Sequence, residues 1–223
     1  MPSIELRKAA KRFGPVTAAE DVDLLVKDGE YVTILGPSGC GKTTLVKMIS
    51  GIWEPTEGEV FIDGKNMGET PTCERDVGYV FQNIALFPHM TVKRNVTYSP
   101  IVKGKREKAD AIASAMISRA RLEGSEGKMP RELSGGAQQK VGIARALASE
   151  SKIVIFDEPL SALDARVRVS LRYELRRYVK ELGLTAVHVT HDQEEAMSVS
   201  DRIVLMRAGR IIEEGTPAEL YEK

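Results

Sequence analysis

At 223 residues the chain is long enough for one filled core with an elaborating subdomain, and its 32 Lys and Arg are balanced by 32 Asp and Glu. With no basic excess and only 5% aromatic residues, neither the charge footprint nor the stacking platform of a nucleic-acid binder is present. Two cysteines cannot make a four-thiolate metal site or a disulfide framework, and no run reaches the ~18 apolar residues of a membrane span, so a reduced, cytosolic globular protein is expected.

The start, Met1 to Phe13, is basic but lacks the apolar core of a signal peptide. Tyr31 to Leu35 reads as a buried strand running into Gly36-Pro37-Ser38-Gly39-Cys40-Gly41-Lys42-Thr43-Thr44. A helix is predicted over Lys42–Ile49, with Leu45, Met48 and Ile49 on its apolar side and Gly51 as its C-terminal cap. Glu59 to Ile62, ending in Asp63-Gly64, reads as one arm of a hairpin. From about Pro88 to Ser149 strand signals are weak. The charged, alanine-rich stretch Gly104 to Ala120 predicts a helix over 105–116.

Ile153 to Phe156 is a short apolar run of the kind that forms a fully covered parallel strand, and it ends in Asp157-Glu158. An amphipathic helix is predicted over 165–182 from Val167, Leu171, Leu175, Val179 and Leu182. Arg168, Arg172 and Arg176, interleaved with Glu174 and Glu181, read as its solvated face. Thr185 to Thr190 is another strand and delivers His191. Ala208-Gly209 joins two hairpin arms, and Thr216-Pro217-Ala218-Glu219 opens a final helix through a capping box. Together these elements make an α/β core interrupted by a helical insertion.

Gly36-x4-Gly41-Lys42-Thr43 is a P-loop. Gly39 and Gly41 permit backbone angles that turn successive amides toward a phosphate, and the following helix adds unpaired donors and a favourable dipole. Lys42 supplies a charge for the β- and γ-phosphates, and the Thr43 hydroxyl can ligate Mg²⁺. Adjacent carboxylates at a strand end point to opposite sides while the strand persists, so they divide the work. Asp157 is assigned to Mg²⁺ through water, and Glu158 to the attacking water, as general base or orienting acceptor. Cys40 lies inside this loop, where a disulfide bridge would obstruct a ligand. The spacing of His188 and His191 resembles a metal pair, but they stand at a strand end with no third ligand.

Further motifs follow in order: Gln82 in Tyr79-Val80-Phe81-Gln82, then Leu133-Ser134-Gly135-Gly136, then Ser161-Ala162-Leu163-Asp164, then His191-Asp192-Gln193-Glu194-Glu195-Ala196. With the P-loop and Asp157-Glu158, essentially the whole chain resembles the nucleotide-binding subunit of an ABC transporter, of the importer type. The resemblance implies a P-loop NTPase (RecA-like) core with an antiparallel β subdomain and an inserted α-helical subdomain. Residues 1–87 and 150–223 would form the core and 88–149 the insertion, all in one ATPase domain. It implies a Mg²⁺-dependent ATPase in which two cassettes pack head to tail around two ATP molecules. Ser134, Gly135 and Gly136 would reach the γ-phosphate held by the partner cassette, and Asp164 would bridge the two. His191 would contact the γ-phosphate and the attacking water, Gln82 would reach Mg²⁺ or that water, and Phe13 would stack on adenine.

The implied partners are a second cassette, polytopic permease subunits and an extracytoplasmic solute-binding protein, with no nucleic acid. The subunit would sit on the cytoplasmic face of the membrane. Leu86, Phe87, Pro88 and Met90 fall in the region that receives a coupling helix in such systems, or pack the insertion. Many relatives carry a C-terminal regulatory barrel, and with the sequence stopping at Lys223 that domain is expected to be either absent or removed. Ala137 departs from the usual glutamine and puts the contact to the partner nucleotide's ribose in doubt. Rival readings remain: a P-loop phosphotransferase has no use for Leu133 to Gly136, a DNA-repair ATPase needs a long coiled coil, and a translation-associated cassette usually joins two cassettes in one chain.

Overall fold

The computed structural model describes residues 2–222. Its centre is a six-stranded sheet in the order β10-β9-β3-β8-β7-β6. The strands are β3 (Tyr31–Leu35), β6 (Val77–Val80), β7 (Ile153–Asp157), β8 (Thr185–Thr190), β9 (Arg202–Arg207) and β10 (Arg210–Gly215). All pairings are parallel except that of β9 with β10. Every residue of β3, β7 and β8 is buried, as strands covered on both faces must be.

Alternation along those strands divides the interior in two. Val32, Ile34, Ile153, Ile155, Val187 and Val189 face α1 (Lys42–Ser50) and a second, antiparallel sheet. Tyr31, Val154, Phe156 and Ala186 face α5 (Ala165–Glu181), which contributes Leu171, Leu175, Tyr178 and Val179. The second sheet has the order β2-β1-β4-β5, from β1 (Ile4–Phe13), β2 (Val16–Val26), β4 (Glu57–Ile62) and β5 (Lys65–Asn66). Asp63 and Gly64 both take left-handed backbone angles, φ 51° and 73°, and so turn β4 into β5.

Between β6 and β7 lie α2 (Val92–Val102), α3 (Ala109–Arg119) and α4 (Gly135–Leu147). They share a separate apolar cluster of Val92, Val96, Ala113, Ile117, Val141 and Ala144. Helix α4 also sends Ile143, Ala146 and Leu147 into the core beneath the main sheet, which ties this unit to the rest. Fully buried Asn95 organises the connection from β6. Its side chain accepts from the Phe87 amide at 2.9 Å and donates to the carbonyls of Phe87, Met90 and Thr91 at 3.0–3.2 Å.

Two expectations need correction. The helix placed over 105–116 begins four residues later, at Ala109, because Arg106 to Lys108 form a 3-10 turn, and it runs on to Arg119. The charges of α5 do not all face water: Arg172 and Glu174 are 2% and 7% exposed. Arg172 lies against Asp192 and Glu194 of the loop and helix after β8, while Glu174 pairs with Lys140 of α4 at 3.1 Å and accepts from Tyr178. Buried charges persist only when paired, and each of these faces a neighbouring element.

Candidate active site

Strand β3 delivers the glycine loop to the N-terminus of α1. Gly41 has φ 105°, and a Cβ there would stand 2.1 Å from the Ala18 carbonyl, so only glycine fits. Helix α1 has no side-chain N-cap, which leaves its first amides and its positive dipole end available to an anion. They face a cavity of about 290 Å³ lined by Ser38, Gly39, Gly41, Lys42, Thr43, Thr44, Gln82, Glu158 and Ala18. Cys40 is buried. It contributes backbone to the loop, its amide closing a turn on the Pro37 carbonyl and its carbonyl accepting from Gly209.

Polar side chains converge on this cavity. Lys42 is buried, and its ammonium donates to the carbonyls of Gly36 and Pro37, both at 2.9 Å, and stands 3.9 Å from Glu158 Oε1. Thr43 Oγ1 donates to Asp157 Oδ1 at 2.9 Å. β7 ends at Asp157, and Glu158 takes a left-handed φ of 45° with its amide on the Val189 carbonyl. The pleat alternation therefore stops between the two carboxylates, and each reaches the P-loop side. Glu158 Oε2 lies 3.3 Å from Gln82 Nε2 and 3.2 Å from His191 Nδ1. Gln82 comes from just beyond β6 and His191 from the end of β8, so three strand ends meet at one carboxylate.

These donors suit Mg²⁺. Thr43 and Asp157 present hard oxygens side by side, and among the described residues no group of three or more His, Cys, Asp or Glu forms a complete protein cage. Mg²⁺ is commonly held in this way, by one or two protein oxygens completed by water and substrate phosphates.

Other sequence-predicted residues lie apart from the cavity. Ser134 and Asp164 are N-caps, Ser134 accepting from the Ala137 amide at 3.3 Å and Asp164 from the Val167 amide at 3.0 Å. The two helix starts adjoin, since a Cβ on Gly136 would meet Val167 Cγ1 at 2.8 Å. Phe13, at the end of β1, packs edge-on against Trp53 with centroids 4.9 Å apart. Trp53 had no motif to mark it.

Sequence reasoning also missed Tyr79, whose hydroxyl donates to Asp157 Oδ2 at 2.9 Å. The Tyr79–Gln82 motif drew attention to that stretch, but only to its glutamine. A second omission is the buried chain behind His191. His188 Nδ1 lies 2.8 Å from the Tyr31 hydroxyl, and His188 Nε2 stands 3.2 Å from Glu195 Oε1. The other Glu195 oxygen accepts from Thr190, the residue preceding His191. Burial alone would raise the Glu195 carboxyl, but His188, Thr190 and Arg172 together hold it below the usual carboxylate value.

A family model described as ABC transporter matches residues 19–161. The Fe(3+) ions import ATP-binding protein FbpC 1 of Rhizobium meliloti (strain 1021) is 49% identical over 221 residues, which cover 99% of this chain and 63% of that protein. The sulfate/thiosulfate import ATP-binding protein CysA 2 of Chromobacterium violaceum is 47% identical over 220 residues, 98% of this chain and 60% of that protein. The chain thus spans less than two thirds of the length of these curated relatives. Among solved structures, a dimeric post-hydrolysis state of the ATP-binding cassette MJ0796 bound to ADP and Pi aligns with a TM-score of 0.85 and 34% identity, covering 96% of this chain and 98% of that one. With the motif geometry and these matches in agreement, the chain belongs to the ABC transporter family.

Proposed function

We propose that the protein is a Mg²⁺-dependent ATPase subunit that closes with a second cassette around two ATP molecules and drives solute import through separate permease subunits. The observation that carries this reading is the convergence on Glu158, with Gln82 and His191 within 3.3 Å of one carboxylate oxygen and the Lys42 ammonium 3.9 Å from the other. Amides from Gly39 to Thr44 and the Lys42 charge bind the phosphates, with Gly36, Pro37 and Cys40 shaping the loop. Thr43, Asp157 and Gln82 hold the metal, which when bound neutralises phosphate charge. Glu158 orients the attacking water and takes up its proton, while His191 fixes the geometry.

Ser134, Gly135 and Gly136 do not line the cavity that Lys42 serves, which supports their acting on a nucleotide held by a second copy. Phe13 is assigned to adenine, Asp164 to the seam between cassettes, and residues 88–149 to a distinct helical signature subdomain. Ala137 stands where the family usually has a glutamine, and the contact of that side chain to the ribose of the partner's nucleotide is not assigned. Relatives named for import of Fe(3+) and of sulfate or thiosulfate support import, and their differing cargoes support solute choice by other subunits, a solute-binding protein among them. Among the described residues no helix is long and apolar enough to cross a membrane. The likeness to import ATP-binding proteins supports a subunit held on the cytoplasmic face by its permease. Between Gln82 and Ser134 the chain forms two 11-residue helices, α2 and α3, which leaves no room for a repair ATPase's coiled coil.

The test is Glu158→Gln. This variant should still bind ATP, turn over at least ~10²-fold more slowly, the scale of positioned acid–base catalysis, and accumulate as a dimer with ATP in gel filtration. Near-wild-type turnover would remove Glu158 from the assigned role.

A further inference from the structure

Asp157 is 3% exposed, and both of its carboxylate oxygens are occupied by hydroxyl donors at 2.9 Å, Thr43 on Oδ1 and Tyr79 on Oδ2. Thr43 is part of the P-loop. Tyr79 comes from β6, where parallel pairing sets it opposite Ile155, two residues before Asp157 on the neighbouring strand. Its ring packs against Phe81 with centroids 4.4 Å apart, which limits where the hydroxyl can point. A phenol keeps its proton at neutral pH, so this hydroxyl is a donor to the carboxylate.

A cation here relies on few protein oxygens, since no larger ligand cluster exists among the described residues. How firmly those few are held then decides affinity. We propose that Tyr79 is a positioning residue for the divalent cation: by donating to Oδ2 it fixes the plane of the Asp157 carboxylate, which keeps Oδ1 on the Thr43 hydrogen and turns the Thr43 lone pairs toward the metal. This inference rests on the metal-assisted reading above. With the Tyr79 donor removed, the carboxylate can rotate and Thr43 loses its fixed orientation. Mg²⁺ demands near-octahedral geometry, whereas Ca²⁺ accepts longer and more variable bonds, so Mg²⁺ should suffer more.

Tyr79→Phe keeps the ring and deletes the hydroxyl. ATP binding by the whole chain would be measured by equilibrium dialysis while titrating Mg²⁺, then Ca²⁺, and again in EDTA. The Mg²⁺ concentration for half-maximal binding should rise ~10-fold or more, with a smaller shift for Ca²⁺ and metal-free binding within about twofold, as for loss of an outer-shell metal partner. A Mg²⁺ midpoint within about twofold of wild type would overturn the proposal, and so would equal losses under all three conditions, since a merely structural role has no reason to discriminate between cations. If Tyr79→Phe does not fold, Tyr79→Met fills the same space without a donor and faces the same comparison. Wild-type ATP binding that ignores Mg²⁺ altogether would instead sink the metal-assisted reading, and the Tyr79 role with it.

Discussion

In the loop from Gly36 to Thr44 the functional groups already meet one another, whereas in the second glycine turn Ser134 and Gly135 lie exposed. Lys42 and Thr43 are engaged with loop carbonyls, Glu158 and Asp157, all inside a single chain. The exposed Ser134 hydroxyl caps its own helix, and the space beside Gly135 is open. Both are glycine-rich turns at helix starts, so their local chemistry is alike. They differ in whether the rest of the chain surrounds them. On the proposed reading, a cradle furnished with its own lysine, metal donors and carboxylate would hold a triphosphate unaided, while an unfurnished one would gain a function when another molecule brings the phosphate to it.

Gly41→Ala should break the first cradle most severely. A side chain at φ 105° and 2.1 Å from the Ala18 carbonyl strains the backbone by ~1–3 kcal/mol or more and displaces the amides. ATP affinity of the isolated subunit should then fall at least ~10-fold in a binding titration, at ~1.4 kcal/mol per decade. Unchanged affinity would mean that the nucleotide does not sit on this loop.

Ser134→Ala tests the second cradle. Hydrolysis should slow ~10-fold or more, the scale of one hydrogen bond to a charged group at ~1.5–3 kcal/mol, while ATP affinity of the monomer stays level. Because Ser134 also caps α4, Ser134→Asn serves as the control: it keeps a capping oxygen, so loss of activity there separates phosphate contact from helix stability. Equal loss of monomer affinity would show the signature acting within its own chain, and the contrast between the cradles would disappear.

The smallest effect concerns the buried chain behind His191. The folded-state carboxyl of Glu195 is held below its unfolded value, so its contribution to stability is complete above the ordinary carboxyl pKa of about 4.5 and is lost as pH falls through the folded value. Urea midpoints of the wild type should therefore decline below that pH. Glu195→Gln should be less stable at neutral pH and flatten this acid limb. A variant with an equally steep limb would remove Glu195 from the linkage.

The helix from Lys42 to the Gly51 cap was legible because glycines, a lysine and apolar residues at helical spacing each have a local cause. The covered strands Ile153–Asp157 and Thr185–Thr190 were legible as short apolar runs. Strands β1 and β2 were not singled out. Their pairing carries three register shifts, which break the period-2 signal that marks a strand. Arg172 and Glu174 were misread as solvated because periodicity records where a side chain sits on its helix, not what stands opposite it.

By itself the sequence determined the phosphate loop, the paired carboxylates and the order of motifs, since each depends on neighbours a few residues away. Tertiary structure alone decided that Tyr79 would hold Asp157 across 78 positions, that Thr43 would reach the same carboxylate across 114, and that Ser134 would stay outside the cavity. Hydrogen bonds over such separations exist only once strand order and register have brought their atoms to within about 3 Å, and no local pattern encodes that meeting.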